Sequence, residues 1–174
     1  MVGDIEMTRD LEAWSVLSLA LQPVAPPPEL RGRLMGSIER SARFRPFSRD
    51  LARWFDLTER AARDLLARVD DPAAWEPGVG PILGFMHFAP GPRVAPAHCG
   101  LVRMKDRARV PLHRHVEREV TLVLEGGVVD GDGTRYGPGQ ALEMPPGSAH
   151  TLRVVGNPEA LLAVVQADID VIAG

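Results

Sequence analysis

His113-Arg114-His115-Val116-Glu117-Arg118-Glu119 decides how this chain is read, and Pro145-Pro146-Gly147-Ser148-Ala149-His150 completes the pattern. Successive side chains of a strand point to opposite faces, so His113 and His115 project the same way, about 7 Å apart along the strand. Glu119 has the same parity. The tight Pro-Pro-Gly turn lets a distant strand deliver His150 to the same centre. Three imidazoles and one carboxylate at these spacings make His113, His115, Glu119 and His150 a candidate metal site. Without a metal, four buried polar side chains would need other partners, and burying them unpaired is costly.

Outward from this string, the pattern is β from Pro81 onward. Runs near 81–88, 99–104, 107–113, 119–125, 127–130, 134–136, 141–144, 149–155 and 160–167 are separated by Gly, Pro or Asp clusters. That spacing predicts a closed or nearly closed antiparallel barrel. Asp130-Gly131-Asp132-Gly133 is the clearest hairpin turn. It lacks the later acidic ligand of a calcium loop, so it reads as a turn. In Val120-Thr121-Leu122-Val123-Leu124 both parities are largely apolar, so both faces of that strand should be covered. One face is the barrel interior with Glu119; the other must meet the N-terminal helices or a second subunit. An apolar face of this size, beside a helical segment too short to cover a whole barrel, predicts a homodimer.

The composition changes near residue 75. All five histidines follow it, and helical periodicity precedes it. Leu11, Trp14, Leu17 or Ser18, and Leu21 fit one side of a short helix that the proline-rich segment 23–28 stops. Leu30, Leu34 and Ile38 form the stripe of a second helix, weakened by Gly32 and Gly36, which therefore needs a partner surface. A third helix starts at Ser48 with Leu51, Trp54 and Phe55 on its apolar face. Thr58 reads as the N-cap of a fourth, with Ala61, Leu65 and Val69 inward and Asp70-Asp71-Pro72 ending it. Leu51 to Thr58 looks faintly like part of a helix-turn-helix, but no basic recognition face accompanies it, so a helical hairpin on the barrel is the better reading. The division expected is a helical N-terminal segment, 1–75, and a β domain, 76–174.

The 174 residues, 45% hydrophobic, suffice for one compact domain with a modest appendage. Twenty basic and 23 acidic residues give a net charge of −3, so no global electrostatic footprint points to nucleic acid. Cys99 is the only cysteine, which excludes an intrachain disulfide, and a buried strand position suits it. Residues 11–22 are too short and too polar for a membrane span or a signal peptide, so the simplest location is the cytoplasm. His87 and His98 have no ligand spacing and read as structural or exposed.

The segment from His113 to Gly126 resembles the first cupin motif. The segment from Gly139 to His150 resembles the second: Gly139, five residues, Pro145, one residue, Gly147, two residues, His150. The second motif departs from the family in carrying Val154 where an Asn is usual. The resemblance covers roughly residues 80–168. It implies a mainly β fold, a cupin jelly roll or double-stranded β-helix, preceded here by the short helical segment, with a divalent metal between its sheets. Within cupins, Glu117 to Gly126 is most similar to the C-terminal domain of ChrR-type anti-sigma factors. The stretch from Leu19 to Arg31 resembles the linker and last helix of zinc anti-sigma domains. Such domains carry an upstream zinc motif of His and paired Cys, and this chain has neither residue before His87. Either most of that zinc fold is lost or the start lies upstream of Met1.

Three imidazoles with one carboxylate suit Zn, Fe, Ni, Mn or Cu. The ChrR resemblance makes zinc the first choice. It also implies a stress-sensing regulator whose partner is an extracytoplasmic-function sigma factor. The alternative is a small metal-dependent enzyme, a dioxygenase or isomerase, using open metal positions. Against it stands the lack of an identifiable acid–base partner, with Tyr136, Glu143 and Arg153 the only polar residues near the motif positions.

Overall fold

The computed structural model describes residues 25–155, 158–166 and 169–171, so the helix expected over 11–21 lies outside the described residues. Residues 38–174 form one compact unit, and the division from residues 1–37 falls inside the first described helix, α1 (Leu30–Arg43). That helix begins where Pro28 releases the chain, as expected. Leu34, Met35 and Ile38 are exposed on it.

Helix α2 (Ser48–Phe55) buries Leu51 and Phe55 and ends at Asp56, in the left-handed conformation with φ 54°. Helix α3 (Glu59–Ala67) starts as its sequence predicts: the Thr58 hydroxyl accepts a hydrogen bond from the Ala61 amide at 3.1 Å. Its buried face differs from the expected one. Ala62, Leu65 and Leu66 point inward and Ala61 is exposed, because the helix stops at Ala67 and Val69 reaches the core from the following turn.

Eleven strands are described: β1 (Glu76–Pro77), β2 (Ile82–His87), β3 (His98–Lys105), β4 (Arg109–His115), β5 (Glu119–Glu125), β6 (Gly127–Asp130), β7 (Arg135–Tyr136), β8 (Ala141–Met144), β9 (Ala149–Val155), β10 (Glu159–Gln166) and β11 (Ile169–Val171). They form two antiparallel sheets, ordered β1-β2-β3-β10-β5-β8 and β11-β4-β9-β6-β7. This is the jelly roll the resemblance implies. The sequence pattern marks nine of these strands. The two-residue β1, which carries a proline, and β11 at the chain end are too short to show a period of two.

Strand β5 lies between β10 and β8 and faces two apolar layers. Val123 joins Val102, Met104, Leu142, Leu152, Val154 and Leu162 between the sheets. Val120, Leu122 and Leu124 pack on the other side with Leu51, Phe55, Leu65 and Leu66 of α2 and α3. The helices thus cover the outer face of β5, which removes the ground on which a second copy was expected there. An aromatic clamp ties the end of the helical layer to the sheet: the Arg103 guanidinium stacks over Trp75 at 4.4 Å, and both donate to the Val69 carbonyl, at 2.6 and 2.9 Å.

Between β5 and β6 the chain crosses from one sheet to the other at Gly126, φ +70°, where an added Cβ would lie 2.9 Å from the Ala160 Cβ. Gly133, in the β6–β7 turn, also has positive φ (+90°) but open space around it. Gly133→Ala should therefore lose only the backbone term, about 1 kcal/mol, and Gly126→Ala should lose distinctly more, about 2–4 kcal/mol. Urea unfolding of the two variants measures the difference.

Candidate metal centre

Strand β4 carries His113 and His115, and its pairing with β9 is interrupted by a register shift between Val110 and His113. After the shift His113 lies directly opposite His150. The Pro145–Ser148 turn fixes this alignment. Gly147, φ +80°, donates its amide to the His115 carbonyl at 2.8 Å, and the His115 amide donates back to the Ser148 carbonyl at 2.9 Å. Glu119 arrives from the next strand, at the start of β5, after the turn 116–118.

The three imidazoles converge, with ring centroids 4.7 Å apart for His113–His115, 4.6 Å for His113–His150 and 5.0 Å for His115–His150. One nitrogen from each lies within 4.8 Å of the other two, and all three side chains are buried. The outer nitrogens are held. A carbonyl can only accept, so His113 Nδ1 carries the proton in its 2.9 Å contact with Pro111 O, and its Nε2 is left with the lone pair. His150 Nδ1 lies 2.7 Å from Asp130 Oδ1, a carboxylate partner of the kind that orients ligating imidazoles. Nε2 of His115 and Nε2 of His150 are buried with no hydrogen-bond partner.

Those orphaned acceptors are the observation against which a metal is tested. A buried lone pair without a donor costs free energy, and a cation shared between the imidazoles removes that cost for all of them at once. The donor set fits a divalent ion. Glu119 lies beside this group without belonging to its closest set: Oε2 is 3.3 Å from His115 Nδ1, and Oε1 accepts from the Thr121 hydroxyl at 3.1 Å. Burial pushes the Glu119 carboxyl up to about 7, an effect the Thr121 hydrogen bond opposes. Burial also brings His115 down to about 4, helped by the neighbouring His113 and His150, and lowers His113.

Behind the imidazoles the space between the sheets opens into a cavity of about 280 Å³. Its floor is His113, Glu119, Thr121 and His150. Its walls are Val102, Met104, Leu152 and Leu162, and the partly exposed Ile82, Phe85, Val110 and Val164 form its mouth. The three polar residues considered as acid–base partners lie elsewhere. Glu143 pairs with Arg118 at 2.6 Å on the surface, Arg153 lies opposite Arg109 and lines a separate groove, and Tyr136 packs at the edge of the inner core. His87 and His98 are exposed and distant from the centre in the strand order. The buried Cys99 thiol is raised to about 11, too high to form a thiolate near neutrality.

Asp130 and Thr121 are the contributors the sequence reading missed. Thr121 stands two residues beyond Glu119 on one strand, so parity alone signals it. Asp130 was read as a turn residue, and nothing local marks it, since its link to His150 depends on the β6–β9 register.

No family model and no curated protein matches the chain. Solved structures do. The Rhodobacter sphaeroides complex of SigE with the anti-sigma ChrR superposes at TM-score 0.54, with 18% identity, over 90% of this chain and 75% of that one. An acetylacetone dioxygenase from Acinetobacter johnsonii matches at TM-score 0.49 and 10% identity, over 59% of this chain and 74% of that one. A cupin-like protein of unknown function from Ralstonia eutropha matches at TM-score 0.39 and 16% identity; the match spans 41% of this chain and just under half, 47%, of that one. The chain thus shares the fold of the ChrR-containing structure, a cupin-like jelly roll, with a three-histidine cluster that could hold a metal. The ChrR-containing structure is one to which the chain is similar over most of its length. No helix among the described residues is long and apolar enough to cross a membrane.

The Glu119 shift has a signed consequence in metal-free protein. Its carboxyl ionises near 4.5 when unfolded and near 7 when folded, so the folded state binds more protons between those values. The stability Glu119 contributes is complete below about pH 4.5 and is lost as the pH rises through 7. The stability of metal-free wild type relative to metal-free Glu119→Gln should thus increase on acidification from pH 8 to pH 5, by denaturant titration; a flat difference would show that burial does not govern this carboxyl.

Proposed function

We propose that this protein is a metal-bound regulatory cupin of ChrR type, with one divalent ion, zinc in first place, held by His113, His115, His150 and Glu119. The observation that carries the metal is the pair of buried, unpartnered Nε2 atoms on His115 and His150, beside imidazoles whose outer nitrogens are already engaged. Glu119 would complete the set by turning toward the imidazoles, which would give four protein ligands and leave the ion able to take one more from the cavity. When bound, the ion supplies a Lewis-acidic positive charge at the inner end of the cavity. The chain's own groups do the rest: Pro111 O and Asp130 hold the tautomers, and the apolar walls keep bulk water away.

The regulatory reading draws on the likeness to the ChrR-containing complex, which extends over 90% of this chain. A second feature supports it. Every cavity wall and mouth residue is apolar, and Thr121 is the one polar lining residue besides His113, Glu119 and His150. A general acid–base enzyme needs a titratable partner within reach of substrate. The second reading, a small dioxygenase or isomerase, rests on the cavity itself, because oxygen chemistry at a metal does not require such a partner. The sigma-factor contact is assigned to α1, where Leu34, Met35 and Ile38 are exposed at spacings that place them along a helix face.

Elemental analysis of protein purified without added metal should give one divalent ion per chain. Wild type that purifies folded without a divalent ion, and takes up none when one is added, would overturn the site. Asp130→Ala should weaken metal binding about 10–100-fold with little change in fold, because His150 loses the partner that orients it; a competitive chelator titration measures this. Leu34→Asp should keep its metal and lose a co-expressed sigma factor in pull-down. If wild type retains no sigma factor, the regulatory reading falls and metal-dependent oxygen consumption becomes the assay of choice.

A further inference from the structure

The 280 Å³ cavity has a chemical asymmetry that selects its occupant. Its inner end carries the candidate ligands, and the rest of its lining is hydrocarbon, from the buried walls to Ile82, Phe85, Val110 and Val164 at the mouth. Among the described residues, no Lys, Arg or Asp lines it. A divalent ion with one ionised Glu119 and three neutral imidazoles leaves a charge of +1, which one monoanion neutralises. A second anionic group on the same molecule would sit against apolar walls with no cation and no hydrogen-bond donor, and a polyhydroxylated ligand would leave its hydroxyls unpaired there. Both are penalised by about 1–3 kcal/mol or more per group. An unbranched apolar body meets no such penalty and gains from burial.

We infer that the cavity is a binding site for a monocarboxylate with an apolar body, such as a medium-chain fatty acid, its carboxylate directed to the metal and its chain running past Val110 and Phe85 to the mouth. The inference rests on the metal reading above and gives the regulatory site a ligand class. Binding requires no new cationic residue, because the ion is the only positive charge in the cavity.

The test uses the full-length protein with its metal content measured first. Titration calorimetry with butyrate, hexanoate and octanoate should show affinity rising about fourfold per added methylene, the increment for burying one CH₂. Octanol and adipate should each bind at least tenfold more weakly than octanoate, the first for want of a charge and the second for having two. Octanoate should also perturb the visible spectrum of the cobalt-substituted protein, which reads the head group at the metal. Val110→Phe should reduce octanoate affinity at least tenfold while the cobalt spectrum without ligand stays unchanged. Should that variant fold poorly, the chain-length slope and the cobalt spectrum of wild type decide. A slope near zero, adipate binding equal to octanoate, or equal octanoate binding by metal-free protein would each overturn the inference with the metal site left standing. A wild type that holds no metal would overturn the site reading, and this inference with it.

Discussion

The centre depends on the pairing of β4 with β9, and on one irregularity in it. Regular pairing would continue the register set by Arg109 opposite Arg153 and Val110 opposite Leu152. The shift before His113 moves the pairing by one residue and sets His113 against His150, with both imidazoles between the sheets. Within the shifted stretch, the Pro111 carbonyl accepts from His113 Nδ1. The Gly147–His115 and His115–Ser148 hydrogen bonds hold the far end of the same pairing. A slip of one residue would turn imidazoles outward and break the convergence, so backbone register, and not side-chain attraction, assembles three groups that repel one another when charged.

Strand β5 carries the second constraint. Its inward residues supply Glu119 and Thr121 to the site and Val123 to the inner core, and the residues between them face α2 and α3. A fully covered central strand is stiff, which keeps a carboxylate near imidazoles at the expense of its solvation. That burial raises Glu119 and lowers His115 in the metal-free protein, so near neutrality His115 is neutral and Glu119 keeps a large protonated fraction. A cation reverses the preference for Glu119 and leaves that of the imidazoles unchanged, because a metal ligand must be an ionised carboxylate and a neutral imidazole. The site is thus poised electrostatically for a cation more than for its own protonated state.

Much of the fold was legible because an antiparallel jelly roll writes its strands as short apolar runs between turn residues. Nine of the described strands follow that pattern, and Thr58 and the Asp130–Gly133 turn were readable from their chemistry alone. The α3 face was misjudged by one position, since Val69 enters the core from a turn and was counted as helical. The exterior of β5 shows where sequence stops. Two apolar parities say that both faces are covered, yet only the packing shows that the cover is the chain's own helices.

At the site, the legible residues were those whose spacing is local or repeats a motif: His113 and His115 two apart, and His150 after its Pro-x-Gly turn. The residues that hold them were hidden to different degrees. Thr121 shares a strand and a parity with Glu119, so the signal existed. Asp130 reaches His150 only because β6 and β9 pair with Asp130 opposite Leu152, leaving its side chain beside the ring two residues away. No linear pattern encodes that neighbour, because it is set by the register of two strands twenty residues apart. The same holds for the cavity. Its lining comes from six strands of both sheets, and its single-charge, hydrocarbon character emerges only when they are stacked, which is why a sequence that names the ligands of a metal says so little about what lies in front of it.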